Sequence, residues 1–243
     1  MGNLVRFDGH ELSDRFILEA PQLGLLNPSP VLQKVPGRDG QVFRDTTLEP
    51  LELQVRLWAV NRSREQWRQD LLDLAKWLNV SEPKKLEVDY GDGLYWYGIP
   101  SAHVPVERYL EDWCADLSFT MPDPVRYGET RTQEITTSTT YFTVGGTYPS
   151  MPSVSGTMEG NANGNISLYH YSASTGTQIM TVPGVSSSSS VSVDAAKRTA
   201  KVASRTTMLE LSSDWWRLAP GQNSARISTG SGSGTVTWTE RWA

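Results

Sequence analysis

Residues 51–78 read LELQVRLWAVNRSREQWRQDLLDLAKWL. The first third alternates. Leu51, Leu53, Val55, Leu57 and Ala59 fall on one face of an extended chain, because successive side chains of a strand point to opposite faces. The period then changes. Ser63 can cap a helix, and Gln66 three residues later completes a capping box. Trp67, Leu71, Leu74, Ala75 and Leu78 follow as an apolar stripe at helical spacing, which SEP at 81–83 ends. A half-buried strand followed by one amphipathic helix predicts a mainly β domain carrying a single helix.

Working outward, LYWYGIP (94–100) and ADLSFTM (115–121) read as further strands. VPGRDGQVF (35–43) and DYGDGLYW (89–96) carry hairpin-type turns, with Asp-Gly pairs at 39–40 and 92–93 that tolerate positive φ. Composition shifts near residue 133, after which the chain is rich in Ser, Thr and Gly. Residues 1–133 hold 15 Lys+Arg against 21 Asp+Glu, a balance of −6; from Glu134 onward the counts are seven and six, a balance of +1. Such a shift marks two domains, 1–133 and 134–243, with the boundary in DPVRYGETRTQEITT (123–137), where Pro122 and Pro124 interrupt regular pairing. The second part reads as all-β: PSVSGTM, NISLYHY, TQIMTV, SVSVDA, TAKVAS, MLELS, WWRLAP, SARIS and TVTWTERW are short and turn-bounded, the pattern of a sandwich or jelly roll. The Ser186–Ser190 run reads as a loop.

The bulk properties narrow the function. The 243 residues are 38% hydrophobic and 20% charged, with a net charge of −5. An acidic chain lacks the basic face that sequence-independent nucleic-acid binding needs. Cys114 is the only cysteine, so no internal disulfide forms. The start MGNLVRFDGHEL has neither a signal-peptide pattern nor, with Arg at position 6, a myristoylation signal. No apolar run reaches transmembrane length. The expectation is a soluble protein made in the cytoplasm, without membrane insertion.

Chemistry is hard to find. His10, His103 and His170 are scattered, and none stands at metal-ligand spacing from another His or from Cys114. DYGDG lacks the acidic alternation and closing Glu of a calcium loop, and VPGRDG lacks the Gly-Lys-Ser/Thr ending of a phosphate loop. Cys114, in EDWCADLSF, reads as a buried small thiol on an edge or half-buried strand. No catalytic, cofactor or metal residue is assigned, and no enzyme activity or cofactor is expected. Trp215 and Trp216 supply one binding candidate. On a strand they face opposite ways, so one fills the core while its neighbour meets a loop, a partner protein or a sugar ring.

The order of these pieces resembles the distal tail protein (Dit) family of long-tailed, non-contractile bacteriophages. The motifs that carry the resemblance are LVRFDGHELSDRFILE (4–19) with its Asp-Gly turn, VPGRDGQVF, the strand and helix of 51–78, DYGDGLYWYGIP, and the exit ADLSFTMPDPVRYG. In the second part they are PSVSGTM, VSVDAAKRTAKV and WWRLAPGQNSARI, which are similar to the family's galectin-like jelly roll. The resemblance implies an N-terminal β-sandwich-like belt domain that assembles into a hexameric ring, and a C-terminal galectin-like β-sandwich that projects outward. It further implies a virion structural protein at the tail tip that joins the tail tube to the baseplate hub, the tail-associated protein and receptor-binding parts. DNA would pass through the lumen without sequence-specific binding. The second hypothesis is a carbohydrate-binding adhesion module for the host surface. The third is a glycan-degrading enzyme with an appended binding domain.

Overall fold

The structure, a computed structural model, describes residues 5–19, 21–23, 26–101, 104–109, 112–186 and 188–243. The chain forms two compact units, Met1–Arg126 and Tyr127–Ala243. It is mostly β, with one α-helix among the described residues.

The strands of the first unit are β1 (Val5–Phe7), β2 (His10–Glu11), β3 (Ile17–Leu18), β4 (Gln22–Leu23), β5 (Pro28–Gln33), β6 (Val42–Leu48), β7 (Leu51–Ala59), β8 (Lys84–Val88), β9 (Tyr95–Pro100), β10 (Val106–Tyr109) and β11 (Asp112–Met121); α1 spans Arg64–Leu78. Every second residue of β7, from Leu51 to Ala59, is buried. β11 lies antiparallel to it, from Trp113 opposite Ala59 to Met121 opposite Leu51. That register puts Trp113, Ala115, Leu117, Phe119 and Met121 on the same buried face. The other edge of β11 takes β10 at one end and β9 at the other. From β9 the sheet continues through β8 and β1 to β2. Three strand spacings would hold β1 about 14 Å from β11 in a flat sheet. The rings of Phe7 and Phe119 are instead 5.0 Å apart, so the sheet curls around one core.

The α1 capping box forms as the sequence predicts: the Ser63 hydroxyl accepts from the Gln66 amide at 3.3 Å, and the Gln66 side-chain oxygen accepts from the Ser63 amide at 3.0 Å. The buried stripe differs from the one expected. Ala75 is exposed, while Trp77 packs on the core with Trp67, Leu71 and Leu78 around the buried Leu74. Asp70 also sits on the inner face, where it pairs with the Arg62 guanidinium at 3.1 Å. A count of apolar positions is blind to it. At the Asp8-Gly9 turn both residues have positive φ, 48° and 80°, and Phe7 pairs with His10 across it. This is the mirror-image turn whose twist suits a two-residue hairpin.

The second unit contains β12 (Arg126–Ile135), β13 (Thr140–Val144), β14 (Ser153–Glu159), β15 (Ile166–Ser172), β16 (Gly176–Val182), β17 (Ser189–Asp194), β18 (Thr199–Val202), β19 (Arg205–Thr207), β20 (Gly221–Thr229) and β21 (Ser231–Trp242). One sheet runs β19-β18-β17-β14-β21-β12, the other β13-β20-β15-β16. Their inner faces share a core that includes Val154, Val193, Val236 and Trp238 from the first, and Phe142, Leu168, Met180 and Ile227 from the second. The Phe142 and Trp238 rings meet across it at 5.0 Å. The unit is a β-sandwich.

Two local readings change. MLELS and WWRLAP are not regular strands: residues 208–217 run irregularly beside β16. The amides of Glu210 and Asp214 donate to the Thr181 and Ile179 carbonyls, and the Arg217 amide donates to the Gln178 side chain. Isolated bonds of this kind cover a sheet edge without extending the ladder. The Ser186–Ser190 run is partly strand, since Ser189 and Ser190 pair with Met158 and Thr157 of β14. The pairing is made by backbone groups, which a serine repeat neither signals nor prevents. β12 crosses most of the expected boundary stretch, after a break at 122–125.

Candidate functional site

The residues singled out for chemistry are kept apart. His10 stacks on Trp77 at 4.8 Å. His170 is buried in the sandwich. His103 lies outside the described residues. Among the described residues no group of three His, Cys, Asp or Glu is placed to hold a metal ion. Cys114 is buried opposite Trp58, on a strand flanked on both sides rather than at an edge. Burial, and then the nearby Glu107 carboxylate, push its thiol pKa up, away from the reactive thiolate. DYGDG is the β8–β9 turn: Asp89 accepts from the Gly91 amide and Asp92 from the Leu94 amide. A polar cavity of about 420 Å³ on the outer face of β7 and β11 is lined by Glu19, Gln54, Arg56, Asp116 and Ser118. Its Arg56 and Asp116 directly oppose each other in the sheet and are joined by two hydrogen bonds, of 2.5 and 2.8 Å. They occupy each other.

The tryptophan pair does not lie on a strand, and it does not split between two faces as expected: both rings pack against one core. Trp216 is fully buried, and Trp215 is half-buried against the same core. The ring of His170 lies 5.4 Å from Trp216. Its Nε2 is 2.9 Å from the Asn223 Oδ1 and its Nδ1 3.2 Å from the Gln178 Oε1. Both amides have their orientation set by backbone groups. Asn223 donates to the carbonyls of Ala219 and Gly221, and Gln178 accepts from the Arg217 amide. The cluster pins the segment after Trp216 onto the sheet. Neither tryptophan offers an open platform for a sugar.

Two surfaces remain open. β5 and β6 pair with each other alone, as a separate two-stranded sheet. The intervening loop carries VPGRDG, with Gly37 and Gly40 at positive φ. Val31, Leu32 and Phe43 on this hairpin are 43, 49 and 60% exposed. Beside α1, an apolar groove of about 340 Å³ is lined by Leu71, Leu74, Leu78, Val104 and Val106. Sequence reasoning placed the hairpin turn but not the exposed apolar residues beside it, because exposure is a property of the tertiary fold.

Comparison with known proteins gives a consistent result. The phage tail protein RIFT-related domain model matches residues 9–117, and the siphovirus-type tail component, C-terminal domain model matches residues 145–242. Among solved structures, the fold resembles the SPP1 Dit (gp 19.1) protein, described as a paradigm of the hub adsorption apparatus in phages infecting Gram-positive bacteria. The TM-score is 0.80 at 18% identity, over 99% of both chains. A chain of the phage P2 baseplate in its activated, calcium-bound conformation matches with a TM-score of 0.51 at 9% identity, over 99% of this chain and 98% of that one. No curated protein matches. With these two tail domains in tandem on a fold shared end to end with SPP1 Dit, the chain belongs to the distal tail protein family of siphophages and is a phage tail component.

Proposed function

We propose that the protein is the ring of a siphophage tail tip. Copies close, six in number by family resemblance, into a hollow collar that joins the tail tube to the baseplate hub and receptor-binding parts. The first unit would form the wall and the second would project from it. The exposed hairpin β5–β6 is the observation that carries this reading. A two-stranded hairpin is marginal in water by itself, and this one leaves three large apolar side chains uncovered. A patch that fits a different surface on the next copy makes a heterologous contact, which generates a ring when the rotation closes. The apolar groove beside α1 is a surface of matching chemistry on the same unit.

The −6 balance of residues 1–133 supports DNA passage, since an acidic wall repels phosphate and leaves the duplex free to slide. Light scattering on the purified chain tests assembly. The wild type should reach a closed oligomer as concentration rises, whereas a Leu32→Asp, Phe43→Asp double variant should stay monomeric and folded. An unchanged oligomer in the variant would remove the hairpin from the interface. Duplex DNA should not be retarded by the ring at low salt; retardation would argue against an acidic lumen.

A further inference from the structure

The outer face of the β13-β20-β15-β16 sheet carries an arrangement that the ring proposal does not invoke. Tyr141 on β13 opposes Ser224 on β20, Ser224 opposes Tyr171 on β15, and Tyr171 opposes Thr177 on β16. Four strands thus contribute one row across the sheet: Tyr, Ser, Tyr, Thr. Tyr141 is 68% and Tyr171 46% exposed, whereas Ser224 between them is 6% exposed. Two strand spacings put the tyrosines about 10 Å apart, with a small residue as the floor of the gap. In the adjacent row Arg226 opposes Tyr169, its guanidinium 5.1 Å from that ring. The Tyr169 hydroxyl lies 3.4 Å from the Thr177 hydroxyl, which ties the two rows together.

The alternation of these strands lets the charge on the face be read directly. The residues sharing Arg226's face are Gln222, Ser224 and Ser228 on β20; Ser167, Tyr169 and Tyr171 on β15; Thr177, Ile179 and Thr181 on β16; and Tyr141 and Thr143 on β13. Arg226 is the one charged residue among them; the carboxylates of Glu210 and Asp214 stand on the segment that runs along the β16 edge, two strands away from β20.

We propose that this face binds an anionic glycan: a saccharide chain bearing carboxylate or phosphate groups. The apolar C–H face of a sugar ring seats against the tyrosines flanking the Ser224 gap. The serine and threonine hydroxyls around it offer hydrogen bonds to sugar hydroxyls, and Arg226 complements the negative substituent. The gap is bounded by rings rather than aliphatic side chains, and its single charge is positive, which favours such a ligand over a second copy of this acidic chain. The site is independent of the ring reading, since its residues all come from one sheet of one unit. Closure would only multiply it, adding avidity.

The test is calorimetric titration of the full chain with polygalacturonate oligomers and phosphomannan, with neutral dextran oligomers as the control. Both anionic probes should bind, and dextran more weakly. Tyr141→Ala and Tyr171→Ala should each weaken binding about tenfold while leaving the melting temperature unchanged. Arg226→Gln should erase the preference for the anionic probes. No binding of either anionic probe would overturn the proposal, as would binding that survives both tyrosine substitutions. A tyrosine variant that changes the oligomeric mass instead of glycan affinity would assign the face to assembly and likewise overturn it. A chain that stays monomeric yet binds the glycans would leave this proposal standing and the ring proposal refuted.

Discussion

Trp216 is fully buried and its neighbour Trp215 only partly so, and they should differ in what their loss costs. Trp216→Ala empties a fully buried site and should destabilise the second unit by roughly 3–5 kcal/mol in urea titration. Trp215→Ala, half-buried, should cost clearly less; equal losses would contradict the packing described. The Trp216 indole N–H meets no acceptor among the described residues, so the ring contributes by contact rather than by a hydrogen bond. The burial of one ring of the pair was legible in the sequence from adjacency, though its neighbour packs on the same core rather than facing away. The partner that fixes it, His170, was not, because a lone histidine in a polar strand carries no signal of burial.

His170 also gives the second unit a pH dependence. Both ring nitrogens face amide oxygens, which favours the protonated ring, but burial is the larger effect and holds its pKa below the ordinary value. The unfolded imidazole, near 6.5, therefore takes a proton more readily than the folded one. Stability is complete above that value and is lost as the pH falls through it toward the folded pKa. Thermal melts between about pH 7.5 and 5 should show a wild-type loss of stability that His170→Gln does not share. Parallel curves would exclude His170 as the source.

At the scale of elements, β14 and β21 approach too closely for side chains where their glycines meet the opposite backbone. Gly156 pairs with Gly234, and a Cβ on Gly156 would run into the Ser233 carbonyl. Backbone cannot yield as a side chain can, so Gly156→Ala should cost about 1–3 kcal/mol, measured by chemical denaturation. A neutral result would mean that the strands separate freely.

Which elements could be read in advance follows from the same physics. β7 and α1 were legible because each has a solvent face and a core face, so burial writes its period into the residue types. The α1 stripe was misjudged at Ala75, which is exposed, at Trp77, which packs on the core, and at Asp70, which takes an inner position paired with Arg62. In the second unit, β12 and β13 lay hidden in Thr-rich sequence whose outward positions carry little contrast. MLELS and WWRLAP imitate strands because their apolar residues also divide between core and solvent: Trp216 and Leu218 are buried, while Met208 and Leu211 are 86 and 108% exposed. Only the hydrogen-bond pattern beside β16 distinguishes such a segment from a strand.

At the scale of the whole molecule, the order of motifs carried more than any single motif did, and it led to the family. The surfaces that would make a tail protein work were less legible. The β5–β6 hairpin shows in sequence as a turn, but its uncovered Val31, Leu32 and Phe43 emerge only when the rest of the unit fails to reach them. The row of Tyr141, Ser224 and Tyr171 depends on strand order, which brings together residues far apart in the chain. A central claim remains at this scale: the first unit is completed by copies of itself. Negative-stain electron microscopy of the purified chain over a concentration series tests it most directly. The account predicts closed rings with a central hole; isolated particles at every concentration, even beside purified tail-tube protein, would contradict it.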